Sequence, residues 1–176
     1  MGTRQTGRLA LAGVFTALAV VCLLLTITPL ATVGLAALAG VCGIPVVVEL
    51  GRKAGLIHFA AVAVLGWFIV PTVEGKGMYI AFFGWYTVFK AFIEGKNLPR
   101  PAEWAIKIAA FSVAVVAYGA IWVFLLHMPV PTDLVLWIGS IFLLCIVFVV
   151  YDLGLTGLVS TYFSRIRPKI TGMFRF

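Results

Sequence analysis

Six long apolar blocks constrain this chain more than any other feature: residues 9–27, 30–50, 54–73, 78–93, 102–126 and 134–158, with only short breaks between them. A helix crossing the ~30 Å hydrocarbon layer of a bilayer needs about 20 apolar residues. Each block is of that order, the fourth being the shortest. Proline and glycine punctuate the breaks. Pro29 closes the first block, Gly51-Arg52-Lys53 parts the second from the third, and Glu74-Gly75-Lys76-Gly77 reads as a tight turn. Pro99, Pro101, Pro129 and Pro131 mark two loops, because proline lacks an N–H donor and clashes inside a helix. With 63% hydrophobic and 11% charged residues and a mean hydropathy of +1.16, a water-soluble globule could not cover its own surface. The same apolar excess excludes a disordered chain. The expected fold is all-α, a polytopic bundle of six transmembrane helices forming one integral membrane domain over residues 1–176, with the lipid bilayer as its main solvent.

Basic residues set the direction. Arg4, Arg8, Arg52, Lys53, Lys90, Lys96, Arg100, Lys107, Arg165, Arg167, Lys169 and Arg175 fall at one end of the alternating blocks, and Lys76 alone at the other. Cations near span ends stay cytoplasmic. The expected topology therefore has an even number of spans, cytoplasmic N and C termini, and a basic cytoplasmic tail over 163–176. Connections 28–29, 74–77 and 127–133 are then external. The net charge of +7 is scattered in clusters between apolar blocks rather than along one face, so no nucleic-acid partner is expected. Arg4 and Arg8 precede a stretch longer than a signal-peptide core, which predicts an uncleaved first span.

Five charges reach into the blocks: Glu49, Lys90, Glu94, Lys107 and Asp152, all near the cytoplasmic ends in this topology. Glu103/Lys107 and Glu49/Lys53 have i,i+4 spacing with the acid first, the better orientation for a helical pair. One reading is an interfacial ion-pair belt with snorkelling lysine stems. The other is a coupling site or proton relay, since ionisable groups inside a membrane are functional candidates. Placement at the interface rather than the midplane favours the belt. Asp152 follows an unbroken run of apolar or small residues from Trp137 to Tyr151 and needs a partner; Lys90 and Lys107 are the candidates.

The opposite half of the blocks is aromatic and nearly uncharged. Tyr79/Phe83, Phe82/Tyr86 and Tyr118/Trp122 are i,i+4 pairs, so each pair shares a helix face. A headgroup-level girdle accounts for Tyr79, Trp122 and Trp137 near block ends. Trp85, Tyr86 and Tyr118 lie deeper, where a phenol or indole needs a polar partner. The alternative is an outward-facing pocket lined by Trp85, Tyr86, Tyr118, Trp122, Tyr79 and Trp137.

In the first block Ala10, Gly13 and Ala17 fall on one face at i, i+3 and i+7. Such small side chains admit a close helix neighbour, either within the bundle or from a separate membrane subunit. Ala36-Ala37-Leu38-Ala39-Gly40 offers the same in the second block, where Gly43 and Pro45 predict a kink. Cys22, Cys42 and Cys145 are widely spaced inside apolar blocks and read as packing residues. There are two histidines: His58, expected to be satisfied within the bundle, and His127, in an external proline loop with Asp133. Without a carboxylate cluster beside them, neither a metal site nor a cofactor is expected. The chain has no GxxxxGK[ST], HExxH or GxSxG and no paired acids of the kind lipid-phosphate transferases use. It is therefore not expected to be an enzyme.

Six helices of this length, both ends cytoplasmic, and a small-residue face on the first helix make the whole chain resemble, in organisation, the substrate-binding S component of energy-coupling factor transporters. The resemblance implies that Ala10, Gly13 and Ala17 dock the coupling helices of a transmembrane partner and that ATPases elsewhere supply the energy. It also implies an external site for a vitamin or other micronutrient, built from helices four to six, in the plasma membrane of a bacterium. The expected function is therefore membrane substrate capture for uptake, with a small, partly aromatic ligand stacked on Trp85, Tyr86, Tyr118 and Trp122. Two alternatives stand beside it: a non-catalytic membrane scaffold acting through its basic cytoplasmic tail, and an ion-coupled carrier using Asp152 and Lys90.

Overall fold

The computed structural model describes residues 3–28, 31–96, 98–125 and 134–166, and within these the side chains of 3, 4, 124, 125, 134–138 and 166 stand outside the description. His127, Asp133, Arg167, Lys169 and Arg175 lie outside the described residues, and Trp137 is described only as backbone within a helix.

Apolar side chains at helical spacing, with backbone donors that lipid cannot satisfy, leave helix as the only economical local structure. Among the described residues no strand occurs. The elements are α1 (Thr3–Leu24), α2 (Thr32–Val41), α3 (Gly43–Leu50), α4 (Arg52–Ile69), α5 (Val73–Met78), α6 (Gly84–Glu94), α7 (Arg100–Ala120) and α8 (Leu134–Thr161). A 3-10 turn, Leu25–Ile27, extends α1. Wider π turns cover Tyr79–Phe83, Ile121–Leu125 and Tyr162–Ile166. The first of these joins α5 to α6 without a break, so 73–94 is one continuous rod.

Among the described residues, five helical stretches are long and apolar enough to cross a membrane: Gln5–Ile27, Thr32–Leu50, Arg52–Ile69, Arg100–Val123 and Gly139–Arg165. This is the architecture of a multi-pass membrane protein. The rod 73–94, expected as a fourth span over 78–93, is not among them, because Lys76, Lys90, tyrosines, tryptophan and glycines dilute its apolar content. It is instead largely enclosed, burying Tyr79, Phe82, Phe83, Tyr86, Lys90 and Ile93. The outer surface of the bundle is apolar, with Leu9, Ile57, Phe68, Val113, Val116 and Phe142 all exposed, as suits a chain solvated by hydrocarbon rather than water.

Contacts fix the directions. Leu23 lies 3.2 Å from where a side chain on Gly66 would begin, and Thr16 bonds His58 at 2.9 Å, so α1 and α4 run parallel. Thr87 donates to the Gly40 carbonyl at 3.0 Å, and Val47 and Val88 both close on Gly55, which aligns α2–α3 with the 73–94 rod. Phe82 meets both Phe111 and Phe148, while Lys107 meets Glu94. Hence α7 is antiparallel, and α8 parallel, to that rod. Arg52, Lys53, Lys90, Lys96, Arg100, Lys107 and Arg165 thereby gather at one end, called here the cation-rich end, and Lys76 at the other.

The expected kink near Gly43 and Pro45 is a break at Cys42 between α2 and α3. The expected turn at 74–77 is not there. Val70 is extended (φ −85°, ψ 121°), as a residue before proline tends to be, so the break falls at 70–72 and residues 74–77 are the start of α5. Their glycines serve packing instead: a Cβ on Gly75 would strike Thr26, and one on Gly77 would meet the Tyr118 ring at 2.8 Å. Lys76 turns back to donate to the Val70 carbonyl at 3.1 Å, where a cation complements the end of α4. Glu49 and Lys53 share no helix, because Gly51, at φ +88°, ends α3 between them in a conformation glycine adopts without strain. Tyr162 donates to Glu49 at 3.4 Å.

Candidate functional site

Two features stand out inside the bundle, one at each end. The first is a cluster of five charges tying the 73–94 rod to α7 and α8 at the cation-rich end. Lys90 (3% exposed), Lys107 (2%) and Asp152 (2%) form its buried centre. Lys90 Nζ lies 2.6 Å from Asp152 Oδ1 and 2.8 Å from Glu94 Oε1, and also donates to the Asp152 carbonyl at 3.2 Å. Lys107 Nζ reaches Glu103 at 2.6 Å, Glu94 at 2.9 Å and Asp152 Oδ2 at 3.4 Å. The Tyr86 hydroxyl donates to Asp152 Oδ1 at 2.8 Å. Burying a charge costs several kcal/mol of desolvation unless it is paired and hydrogen-bonded; here every buried charge has at least two partners. The spacing of Glu103 and Lys107 produced its pair within one helix, whereas the Asp152 contacts come from two other rods.

The second feature is a cavity of ≈ 200 Å³ in the cation-poor half, walled by Val33, the 78–83 segment, α7 and α8. Phe82, Phe111 and Phe148 supply its rings: Phe111 and Phe148 stack at 4.6 Å and 21°, and Phe82 stands edge-on to Phe111 at 5.1 Å. The π turn Tyr79–Phe83 forms one wall; such turns recur at functional sites because they re-aim side chains. The lining is apolar apart from Tyr118, whose buried hydroxyl has no hydrogen-bond partner among the described residues. A space of this kind suits an uncharged, ring-sized or hydrocarbon group and offers no set of polar partners for a hydrophilic one.

The six aromatic residues singled out by sequence do not converge. Tyr118 lines the cavity and pairs with Trp122 at 5.9 Å. Tyr86 is fully buried and turned to Asp152. Tyr79 is buried among Phe59 and Gly84, its hydroxyl unpartnered among the described residues. Trp85 donates its indole N–H to the Ala81 carbonyl at 2.8 Å, and Trp137 has no described side chain. The rings missed were Phe111 and Phe148. A signal existed in the spacing of Phe111, Ala114, Val115 and Tyr118, which places all four on one face of α7.

Ala10, Gly13 and Ala17 are exposed, and no atom lies within 4 Å of a Cβ built on Gly13. They are not used in packing within the bundle. Ala36, Ala39 and Gly40 are: all are buried, and Gly40 admits the Phe83 carbonyl and the Tyr151 hydroxyl. His58 is held through Nδ1 by Thr16, and its buried Nε2 has no partner among the described residues. Among the described residues no group of three or more His, Cys, Asp or Glu side chains is placed to hold a metal. In comparisons with known families, curated proteins and solved structures, nothing matches this chain.

Proposed function

We propose that this chain is a six-span membrane subunit that captures a small, apolar or aromatic micronutrient from outside a bacterial cell, its cation-rich end in the cytoplasm. Energy for uptake comes from a separate complex of a transmembrane coupling subunit and ATPases. The observation that carries the reading is the apolar cavity between Val33, the 78–83 segment, α7 and α8, which lies in the half of the bundle remote from the charges. The rod 73–94 counts as the fourth span. It is enclosed by its neighbours, and its Lys90 and Glu94 sit at the same end as their charges. The exposed Ala10, Gly13 and Ala17 face leaves α1 open to a second membrane subunit. The multiple pairing within the Asp152 cluster supports a clamp between helices rather than an ion-coupled carrier.

Ala114 faces the cavity, whereas Ala109 on the same helix faces away from it. In purified protein, one member of a panel of uncharged aromatic and apolar nutrients is expected to raise the melting temperature. Ala114→Phe should abolish that shift and Ala109→Phe should retain it. If no compound shifts the melt, and gentle extraction recovers the chain without ATPase subunits, the capture role is wrong.

A further inference from the structure

Of the described residues lining the apolar cavity, only Val33 and Leu144 are exposed, at 41% and 38%. Val33 belongs to α2 and Leu144 to α8, and both lie within stretches apolar enough to cross a membrane, Thr32–Leu50 and Gly139–Arg165. Around Leu144, Ile141 and Leu143 are exposed as well, so the rim on α8 is hydrocarbon. The cavity therefore reaches the surface of the bundle sideways, between α2 and α8, at a depth where a bilayer presents acyl chains and not water. The one polar side-chain group of its lining does not alter this. The Tyr118 hydroxyl lies against Gly77, 3.6 Å from where a Cβ there would begin, and is buried.

A compound arriving from water gains free energy simply by leaving it. One arriving from lipid gains nothing that way, since acyl chains are as apolar as the cavity walls. What separates such a compound from the acyl chains around it is ring contact. Phe82, Phe111 and Phe148 supply rings to the lining, and aromatic pairs are favoured beyond the area they bury. We propose that the cavity takes a planar aromatic compound dissolved in the bilayer, which enters between α2 and α8, past Val33 and Leu144, in the cation-poor half of the membrane. The inference rests on the reading of this cavity as the ligand site; it adds the class of ligand and its source, the membrane instead of the medium.

Irradiation of the protein in liposomes with 3-trifluoromethyl-3-phenyldiazirine, a small aromatic photoreagent that resides in the bilayer, tests it. Mass spectrometry should find label on Ala114 and Phe148, which are 5% and 3% exposed, as well as on exposed Val113. 2-Methylnaphthalene should halve the labelling of Ala114 and Phe148 at a mole fraction about fivefold below that needed of decane, the factor a favourable ring contact gives, and should leave Val113 labelled. In a chain whose three native cysteines are alanine, Ala114→Cys should resist an impermeant, water-soluble methanethiosulfonate added to either side. Label confined to exposed positions would overturn the inference. So would equal competition by decane, which would mean a slot for acyl chains. A reactive Ala114→Cys would mean an aqueous route and overturn it too, while a nutrient-induced melting shift in that case would leave the capture role intact. Ring-selective labelling, with no ATPase subunits recovered by gentle extraction, would uphold the inference and sink the capture role. Should Ala114→Cys not fold, the photolabelling of the parent decides the matter.

Discussion

Replacing Lys90 by methionine and Asp152 by asparagine, singly and together, tests whether the buried charges hold three rods together. The intact cluster sets Lys90 and Lys107 against Asp152, Glu94 and Glu103. Lys90→Met leaves one cation facing three carboxylates. Asp152 then loses its 2.6 Å contact and keeps Lys107 at 3.4 Å and the Tyr86 hydroxyl at 2.8 Å. Breaking a buried pair costs about 3–5 kcal/mol, and the surviving contacts put this variant near the lower bound. Asp152→Asn leaves two cations with two carboxylates, and its amide oxygen still accepts from Tyr86, so about 1–2 kcal/mol is expected. The double variant removes one charge of each sign and restores the original balance. It should cost about 2 kcal/mol rather than the sum of the single costs, a coupling of about 2 kcal/mol. Equilibrium unfolding in mixed micelles, followed by helical circular dichroism, measures all three. Strictly additive costs, or a Lys90→Met variant within about 0.5 kcal/mol of the parent, would refute the clamp, since surface substitutions commonly fall in that range.

Two further outcomes follow from the packing and the charge distribution. Gly40→Ala would force a methyl group into the Phe83 carbonyl and the Tyr151 hydroxyl and should cost about 1–3 kcal/mol. Gly119→Ala, with no atom within 4 Å of its Cβ, should be neutral or stabilise by about 0.5–1 kcal/mol; the same unfolding titration separates them. For topology, single cysteines at Val73 and Lys53, both exposed and at opposite ends, would be placed in a chain whose three native cysteines are alanine. A membrane-impermeant thiol reagent added to intact cells should label Val73→Cys and spare Lys53→Cys. The reverse pattern would invert the orientation, and labelling of both would remove it.

The apolar blocks made the helices legible, because lipid demands a length and hydrogen-bonded backbone enforces it, but not their ends: helix begins at Thr3 rather than 9 and at Val73 rather than 78, and runs on to Ile166 rather than 158. Asp152 was also legible: a lone carboxylate in an apolar run has to find a cation, and Lys90 and Lys107 were the ones at the right depth. The aromatic residues were not. An i,i+4 spacing tells which side chains share a face of one helix, and nothing about which neighbour that face meets. Tyr86 therefore turned to a carboxylate on α8 instead of a pocket. Phenylalanine carries no polar requirement to betray its partner, so although spacing marks the α7 face that carries Phe111, nothing in the sequence points to Phe148 as the ring it stacks on. At 74–77, glycines looked like a turn because spacing alone cannot distinguish flexibility from close approach. Thr26 and Tyr118, far away in sequence, make the difference.

The enclosed, less apolar rod 73–94 has a consequence for biogenesis. A segment carrying Lys76, Lys90 and two ring hydroxyls would partition poorly into lipid when it first leaves the translocon. Beyond Glu94 in the same rod, its counter-charges arrive only with Lys107 on α7 and then Asp152 on α8. This segment must therefore wait at the insertion machinery, or shelter against α2 and α4, until α7 and α8 are made. Truncation before α8 would strand it there, a substrate for membrane quality control instead of a half-built bundle.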